Sequence, residues 1–411
     1  MTRPLLVHVT TVPVSLLELF VGQIAYMKRM GFHVCGVCSS GLEVADLEAE
    51  YQVTVHPVEM QRAVTPIKDV VALVTLVRLF RNLRPAIVHC HTPKAGFLGS
   101  IAALLAGVPV RLYTIRGLRF VTASGFKRRV LKVAEKLACA CAQRVPCNSR
   151  SLMDLALDEK VAPAHKTTVF GSGSGNGVDS ERFQRTAANL AAGREVRRRL
   201  DIPSDGLVVG YVGRLVRDKG IVEMAAAWRG VREEFDHAHL LLVGPIEGQD
   251  PIPQEVLREL RSDARIHAPG WQRDTVPYYG AMDVVILPTH REGFPNALLE
   301  AAAMEIPVVA TTVEGCVDAV LDNITGFLVP PRDPAALSRA ISRLLRDAPL
   351  RRQMGQTARE RVVREFRPEM IWTQLYREYA KLLTAKGLAV PGGAEPVPDR
   401  NLEAAAATPS N

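Results

Sequence analysis

Two carboxylates with seven residues between them, Glu292 and Glu300, stand in the segment HREGFPNALLEAAAMEIPVVA, residues 290–310. Gly293 and Pro295 follow the first, and an Ala/Leu-rich helical pattern carries the second. A strand pattern, DVVILP, comes just before. Glu292 is therefore expected in the loop at the carboxyl end of a strand, and Glu300 near the start of the next helix. In an open α/β sheet that is where ligands bind. The amides of Asn296, Ala297 and Leu298 are expected to be free at the helix N-terminus, where they favour a phosphate. A carboxylate on either side of a phosphate site suits a ligand with hydroxyl groups on both sides of a phosphate. A nucleotide sugar has that layout: ribose, diphosphate, sugar. The plain competing explanation is a pair of solvated glutamates, one of them helping to cap the helix.

A second group of residues points the same way. GYVGRL ends a strand pattern with Gly213, Arg214 and Leu215, and Asp218-Lys219-Gly220 lies just beyond. Glycine lets backbone approach a ligand closely. Arg214 and Lys219 would then neutralise a diphosphate, one with a planar fork and the other as a point charge. The stretch has no GxxxxGK[ST], which excludes a P-loop, and no GxGxxG follows the first strand, which argues against a nicotinamide dehydrogenase. Glycines at 171, 173, 175 and 177 either wall a ligand cleft or form a flexible linker.

The elements that must position these residues come in two alternating sets. The first contains LLVHVT, a helix over 16–30, HVCGVC, VTVHPV, a helix over 67–83, IVHCHT, a helix over 97–105, VRLYTI, a helix over 128–142 and VPCNS. The second contains LVVGYVGRL, HLLLVG, ARIHAPG, DVVILPT, IPVVATT and GFLVPP, with helices between. Such alternation implies right-handed βαβ units and two doubly wound sheets. A chain of 411 residues usually makes two or more domains. The expected division is residues 1–180, 181–364, a final helix within 365–388, and a Pro/Gly/Ala-rich tail over 389–411 that reads as disordered.

Hydrophobic residues at 47% and charged residues at 23% indicate a soluble globular protein. No apolar run reaches the roughly 18 residues of a membrane span. The opening MTRPLLVHVTTVPVSLL reads as a first buried strand and loop rather than a signal peptide. Seven scattered cysteines fit a reducing compartment, and Cys35 and Cys38, inside an apolar strand, read as buried thiols. The net charge of +8 is concentrated. Residues 116–150 hold Arg116, Arg119, Lys127, Arg128, Arg129, Lys132, Lys136, Arg144 and Arg150 against Glu135 alone. Leu118, Phe120, Val121 and Phe126 lie among them. Basic and apolar residues together suit an anionic membrane surface, with Phe120, Phe126, Lys127, Arg128 and Arg129 in contact. Nucleic acid is not expected, because aromatic interleaving and a binding motif are missing. An ordinary solvated basic helix is the competing explanation.

GRLVRDKG, PGWQRD, AMDVVILPTHREGFPNALLEAAAMEIPVVAT and GFLVPPRD resemble the donor domain of the family 4 retaining glycosyltransferases of the GT-B fold. HCHTPKAGFLGSIAALLAGVPVRLYTIRG and FGSGSGNGVDSERF resemble the other half of the bacterial members that build capsule, O-antigen and related glycans. The resemblance spans roughly residues 5–385. It implies two Rossmann-like domains facing across a cleft, an N-terminal one for the acceptor and a C-terminal one for the nucleotide sugar, with the final helix crossing back. Carried over by position, Arg214 and Lys219 match the diphosphate-binding pair, Glu292 the glutamate facing the donor sugar, and Glu300 the ribose-binding one. Gly293, Phe294 and Pro295 match the loop under sugar and phosphates, and Trp271 and Gln272 the strand end bordering the base. Many members have a histidine where this chain has Arg116, in Thr114-Ile115-Arg116-Gly117. Arginine stays protonated and cannot serve as a general base, but it can hold an acceptor phosphate or offset leaving-group charge. His91 is the nearest imidazole and is read as a substrate contact. His89 shares its strand face, which suggests metal, but no third ligand is evident; His89 otherwise reads as structural. The expectation is a retaining, metal-independent hexosyltransferase needing no cofactor. Its donor would be a UDP-sugar such as an N-acetylhexosamine, and its acceptor a polyprenyl-diphosphate-linked glycan at the cytoplasmic membrane face. A sugar-nucleotide epimerase or hydrolase on the same fold, or a non-catalytic sugar-nucleotide binding subunit, are the alternatives.

Overall fold

The computed structural model describes residues 3–248 and 250–392; the expected disordered tail lies, from residue 393 on, outside the described residues. Five strands, β1 (Leu5–Val9), β2 (His33–Cys38), β3 (Thr54–Pro57), β4 (Ile87–Cys90) and β5 (Val110–Tyr113), form a parallel sheet in the order β3-β2-β1-β4-β5. Short strands β6 (Val145–Pro146) and β7 (Thr167–Thr168) pair with each other, and bridges from Leu112 to Arg144 and Ile115 to Cys147 join them to the β5 edge. Six further strands, β8 (Leu207–Val212), β9 (Ala238–Val243), β10 (Ile266–Gly270), β11 (Val284–Leu287), β12 (Val308–Thr311) and β13 (Gly326–Val329), form a second parallel sheet, β10-β9-β8-β11-β12-β13. Parallel strands are covered on both faces and read as continuous Val, Ile and Leu runs. LLVHV, AHLLLV and VVIL are such runs, and all of their residues except the partly buried Leu5 are buried.

Each sheet reverses its order once, between β1 and β4 and between β8 and β11. At such a point the loops leaving the carboxyl ends part and open a crevice. Thr11, His91 and Thr92 follow β1 and β4; Gly213, Arg214 and Arg291 follow β8 and β11. All of them line one cleft of roughly 2430 Å³. A pocket for one drug-sized ligand has about 300–1,000 Å³, so this cleft has room for two substrates together.

One core surrounds the second sheet, from Val178 to Phe366. The first sheet has a core on each face. The last helix, Pro368–Thr384, returns to the first half and places Trp372, Leu375, Tyr379 and Leu383 against Leu16, Ile24 and Met27. The helix expected over 16–30 is instead two, Pro13–Leu19 and Gln23–Arg29. They divide at Gly22, whose φ of 74° suits glycine and where any side chain would overlap Trp372. A helix over Glu43–Tyr51 was not anticipated; it is mostly exposed and polar, with little apolar period to reveal it. The glycine-rich stretch is a wall, not a flexible linker. Gly173 lies against the Phe294 ring, and Gly175 against the Arg116 guanidinium.

Candidate active site

After β11 the chain turns through Glu292 and Gly293, and Pro295 begins the helix Asn296–Ala303. Lys219, in the short turn Arg217–Lys219 after β8, donates from Nζ to Glu292 Oε1. The two groups expected to contact sugar and diphosphate separately are thus one ion pair, with side chains only 18% and 12% exposed. Arg214 is more open, 43% exposed, and donates to Glu247 at 2.7 Å at the cleft wall. Glu300 lies further along and accepts from the Tyr279 hydroxyl at 2.8 Å. Burial pushes its carboxyl above the ordinary range, with the Tyr279 hydrogen bond opposing. Trp271 is exposed in the cleft, and Gln272 beside it donates to the Pro269 carbonyl at 3.0 Å. Tyr279 and Glu247 were missed in the sequence, since neither belongs to a quoted motif and both act through partners distant along the chain.

Two expectations for this loop need correction. Leu298 N donates to the Pro295 carbonyl at 3.1 Å, so of three amides expected free at the helix start, those of Asn296 and Ala297 remain. Phe294 does not lie beneath the cleft: its ring is buried against Phe366, 5.4 Å between centroids, and only its backbone belongs to the site loop. Gly293 makes the closest approach. A methyl group there would overlap the Arg116 carbonyl oxygen, so the loop after β11 rests directly on the loop after β5. Arg291 strengthens the same seam, pairing with Asp218 and donating to Thr122 Oγ1 at 3.1 Å.

On the other side of the cleft, β1 and β4 pair with His8 opposite His89. This register brings in the third imidazole that the sequence did not reveal: the ligand atoms of His8, His89 and His91 lie within 4.8 Å of one another. Five of their six nitrogens are in hydrogen bonds; His8 Nε2, buried, has no partner. Arg116 Nη2 stands 3.2 Å from His91 Nδ1, and guanidinium only donates, so Nδ1 accepts. His91 Nε2 must then carry the proton and donate to His8 Nδ1 at 3.0 Å. His89 is held at 2.6 Å by both the Tyr379 hydroxyl and Thr114 Oγ1. Burial first, then the Arg116 charge, pulls His8 down to about 3, and burial is also the main cause holding His89 and His91 well below their usual range. A guanidinium at the rim of three neutral rings makes a positioning network, in which His8 Nε2 is the one ring nitrogen left without a partner and a single open nitrogen does not make a metal site. The reading of His91 as a substrate contact is corrected accordingly: it is 1% exposed and both nitrogens are engaged. Arg116 is the group it presents. Burial lowers Arg116 to about 10, which leaves it charged at neutral pH. Its Nε has no partner, and no carboxylate pairs with it among the described residues.

The basic stretch also differs from expectation. Phe120 and Leu118 are in the core and not on a membrane face, because they are the two inward residues of the turn after β5. The Arg128 guanidinium covers the Phe120 ring at 5.5 Å, and Arg128 and Lys132 share Glu159 at 2.7 and 2.5 Å. One carboxylate thus offsets half of their charge. Phe126, 81% exposed, and Lys127 and Arg129 remain outward. Among the described residues no helix is long and apolar enough to cross a membrane. Cys35 and Cys38 are buried, and burial pushes both thiols to about 12, as befits structural groups.

Two parallel sheets whose switch points open on one cleft, with Arg214, Glu247 and Glu300 on one wall and Arg116 on the other, define a GT-B glycosyltransferase. Residues 20–173 match the glycosyl transferase 4-like domain and residues 206–347 the glycosyl transferases group 1. The capsular polysaccharide biosynthesis glycosyltransferase CapM of Staphylococcus aureus is 35% identical over 376 residues, 92% of this chain and 97% of that protein. An Escherichia coli UDP-Gal:alpha-D-GlcNAc-diphosphoundecaprenol alpha-1,3-galactosyltransferase is 29% identical, over 74% of this chain and 78% of that protein. The crystal structure of Anabaena HepE in complex with UDP and glucose has the same fold, with a TM-score of 0.78 at 19% identity, covering 92% of this chain and 100% of that one. The chain belongs to the family 4 glycosyltransferases.

Proposed function

We propose that this glycosyltransferase moves a hexosyl group, with retention and without a metal ion, from a UDP-sugar such as UDP-N-acetylhexosamine to a polyprenyl-diphosphate-linked glycan. The setting is cell-surface polysaccharide assembly at the inner face of the cytoplasmic membrane. The observation that carries this reading is the pair of switch-point crevices lining one cleft, with Arg214 and Glu300 on one wall and Arg116 on the other. Residues 181–364 take the donor and residues 1–180 the acceptor. Arg214, Lys219 and the amides of Asn296 and Ala297 neutralise the diphosphate. Glu300 holds the ribose and Glu292 the donor sugar. Gly213, Gly293 and Pro295 bring backbone close to the ligand, and Trp271 and Gln272 border the base. The acceptor hydroxyl attacks the anomeric carbon on the face from which the β-phosphate departs, and its proton passes to the leaving phosphate oxygen. Arg116, positioned by His91, offsets the growing negative charge. A relative acting on a lipid-diphosphate sugar, and HepE crystallised with UDP, support the two substrate classes.

Incubation with a panel of sugar nucleotides and a polyprenyl-diphosphate sugar tests this. Mass spectrometry is expected to find one added hexosyl unit, and nuclear magnetic resonance the donor's anomeric configuration. Activity is expected to survive EDTA, since no Asp-x-Asp motif occurs in the chain. An inverted product, or complete loss with EDTA restored by manganese, overturns the mechanism.

Membrane contact rests on Phe126 with Lys127 and Arg129. Each basic residue near an anionic surface contributes about 1 kcal/mol, and salt screens the attraction. Wild type is expected to sediment with anionic vesicles at low salt and not with neutral ones. Lys127→Glu with Arg129→Glu should lose that binding and still bind UDP. Arg128 is left alone because its charge already belongs to Glu159. Equal sedimentation of the double variant would leave the stretch a solvated helix.

A further inference from the structure

Between the inward Leu118 and Phe120, the turn after β5 directs Arg119 outward to the mouth of the cleft. Its guanidinium donates to the carbonyl of Arg62 at 3.4 Å and has no carboxylate partner among the described residues. Arg62, Arg214 and Arg291 line the same cleft. Each of those three has an acid: Arg62 and Arg214 share Glu247 at 3.6 and 2.7 Å, and Arg291 takes Asp218. Glu18 also lines the cleft, within electrostatic reach of Arg214 and Arg62. Arg119 is the surplus cation of the group. Burial and the nearby charges of Arg291, Arg62 and Arg214 lower its proton affinity, with Asp218 opposing. A cation held beside like charges gains most from an added anion.

The surroundings say which anion. Arg62 precedes the helix Pro66–Leu83, whose first turns expose Ile67 (83%), Val70 and Val71, with Val64 just before. Arg119 precedes the helix Gly125–Cys141, with Val121 and Phe126 exposed at its start. Both helices pack against the helix Pro93–Leu105 that lies between them. The two arginines therefore meet between two apolar helix starts at the edge of the cleft.

We infer that Arg119 and Arg62 form the subsite for the diphosphate of a lipid-linked acceptor. Two guanidinium forks on separate loops suit two adjacent phosphates. The glycan end enters the cleft, and the hydrocarbon end leaves over the apolar helix starts. This rests on the acceptor class proposed above and adds the residues that read it.

Calorimetry with farnesyl diphosphate, in saturating UDP so that the donor site is filled, tests the subsite. Wild type is expected to bind the diphosphate more tightly than farnesyl monophosphate. Arg119→Gln should weaken the diphosphate tenfold or more, narrow the difference between the two ligands, and leave UDP affinity and melting temperature unchanged. Arg62→Gln should act in the same direction. No binding by wild type, or equal binding by wild type and Arg119→Gln, overturns the subsite. Sugar transfer to a polyprenyl-diphosphate glycan that ignores Arg119→Gln also removes the subsite but leaves the acceptor class standing. Binding through Arg119 with no transfer to any lipid diphosphate keeps the subsite and removes the acceptor class.

Discussion

Lys219→Ala is expected to cut turnover by two to three orders of magnitude. Losing one positioned cation from a departing diphosphate costs about 3–4 kcal/mol of transition-state stabilisation, and each 1.36 kcal/mol is tenfold in rate. The structure adds a second reason. Lys219 is the ion-pair partner of Glu292, so its removal leaves a carboxylate that is only 12% exposed without a counter-charge. Lys219→Arg keeps the charge but replaces a compact ammonium with a planar fork, and should restore only part of the rate. Steady-state kinetics at saturating donor, with a melting curve for each variant, is the measurement. A folded Lys219→Ala enzyme within fivefold of wild type would remove the leaving-group assignment.

Gly293→Ala is expected to be nearly as damaging, through geometry and not charge. The added methyl would occupy the Arg116 carbonyl oxygen's position, and that oxygen belongs to backbone, which cannot swing aside as a flexible side chain can. The loop after β11 and the loop after β5 must then move apart. Glu292 is the adjacent residue, and a displacement of about 1 Å at a reacting centre costs on the order of a hundredfold in rate. Transfer should therefore fall by about two orders of magnitude. UDP binding should persist, because Arg214 and Glu300 are held by partners within the second half, Glu247 and Tyr279. Parallel calorimetry and transfer assays separate the two effects. Unimpaired transfer would mean that the seam is not needed for catalysis; lost UDP binding would mean that the second half itself is distorted.

Much of this architecture is legible in the chain. The strands carrying Gly213, Arg214 and Glu292 are continuous apolar runs that end in glycine or proline, so their carboxyl ends can be located without a structure. Pairings across the fold are harder to read. His8 meets His91 across 83 positions only because of the β1–β4 register, which strand patterns do not contain. Lys219 and Glu292 meet across 73 positions for the same kind of reason: β8 and β11 are neighbours although β9 and β10 intervene in sequence. Phe120 has the composition of a membrane contact, but a turn that buries alternate residues sends it inward and Arg119 outward. Charge counted along residues 116–150 also overstated the basic face, since Glu159, just beyond that window, takes up Arg128 and Lys132.

The last helix has a consequence for how the protein is made. Tyr379 completes the hydrogen bonding of His89, Trp372 donates to Asn176 at 2.6 Å, and Leu375 and Leu383 cover Leu16, Ile24 and Met27. None of this cover exists while the chain is being translated through residue 367. At about 5–20 residues per second, the ribosome needs roughly 10–40 s to travel from the end of the first half to the end of that helix. Throughout that interval this face of the first sheet has Leu16, Ile24, Met27 and Leu47 over it but lacks Trp372, Leu375, Tyr379 and Leu383. The first half thus reaches its native state last, although it emerges first. A message cut short ahead of residue 368 would encode every donor-site residue and still yield a chain in which this core of the first sheet is incomplete.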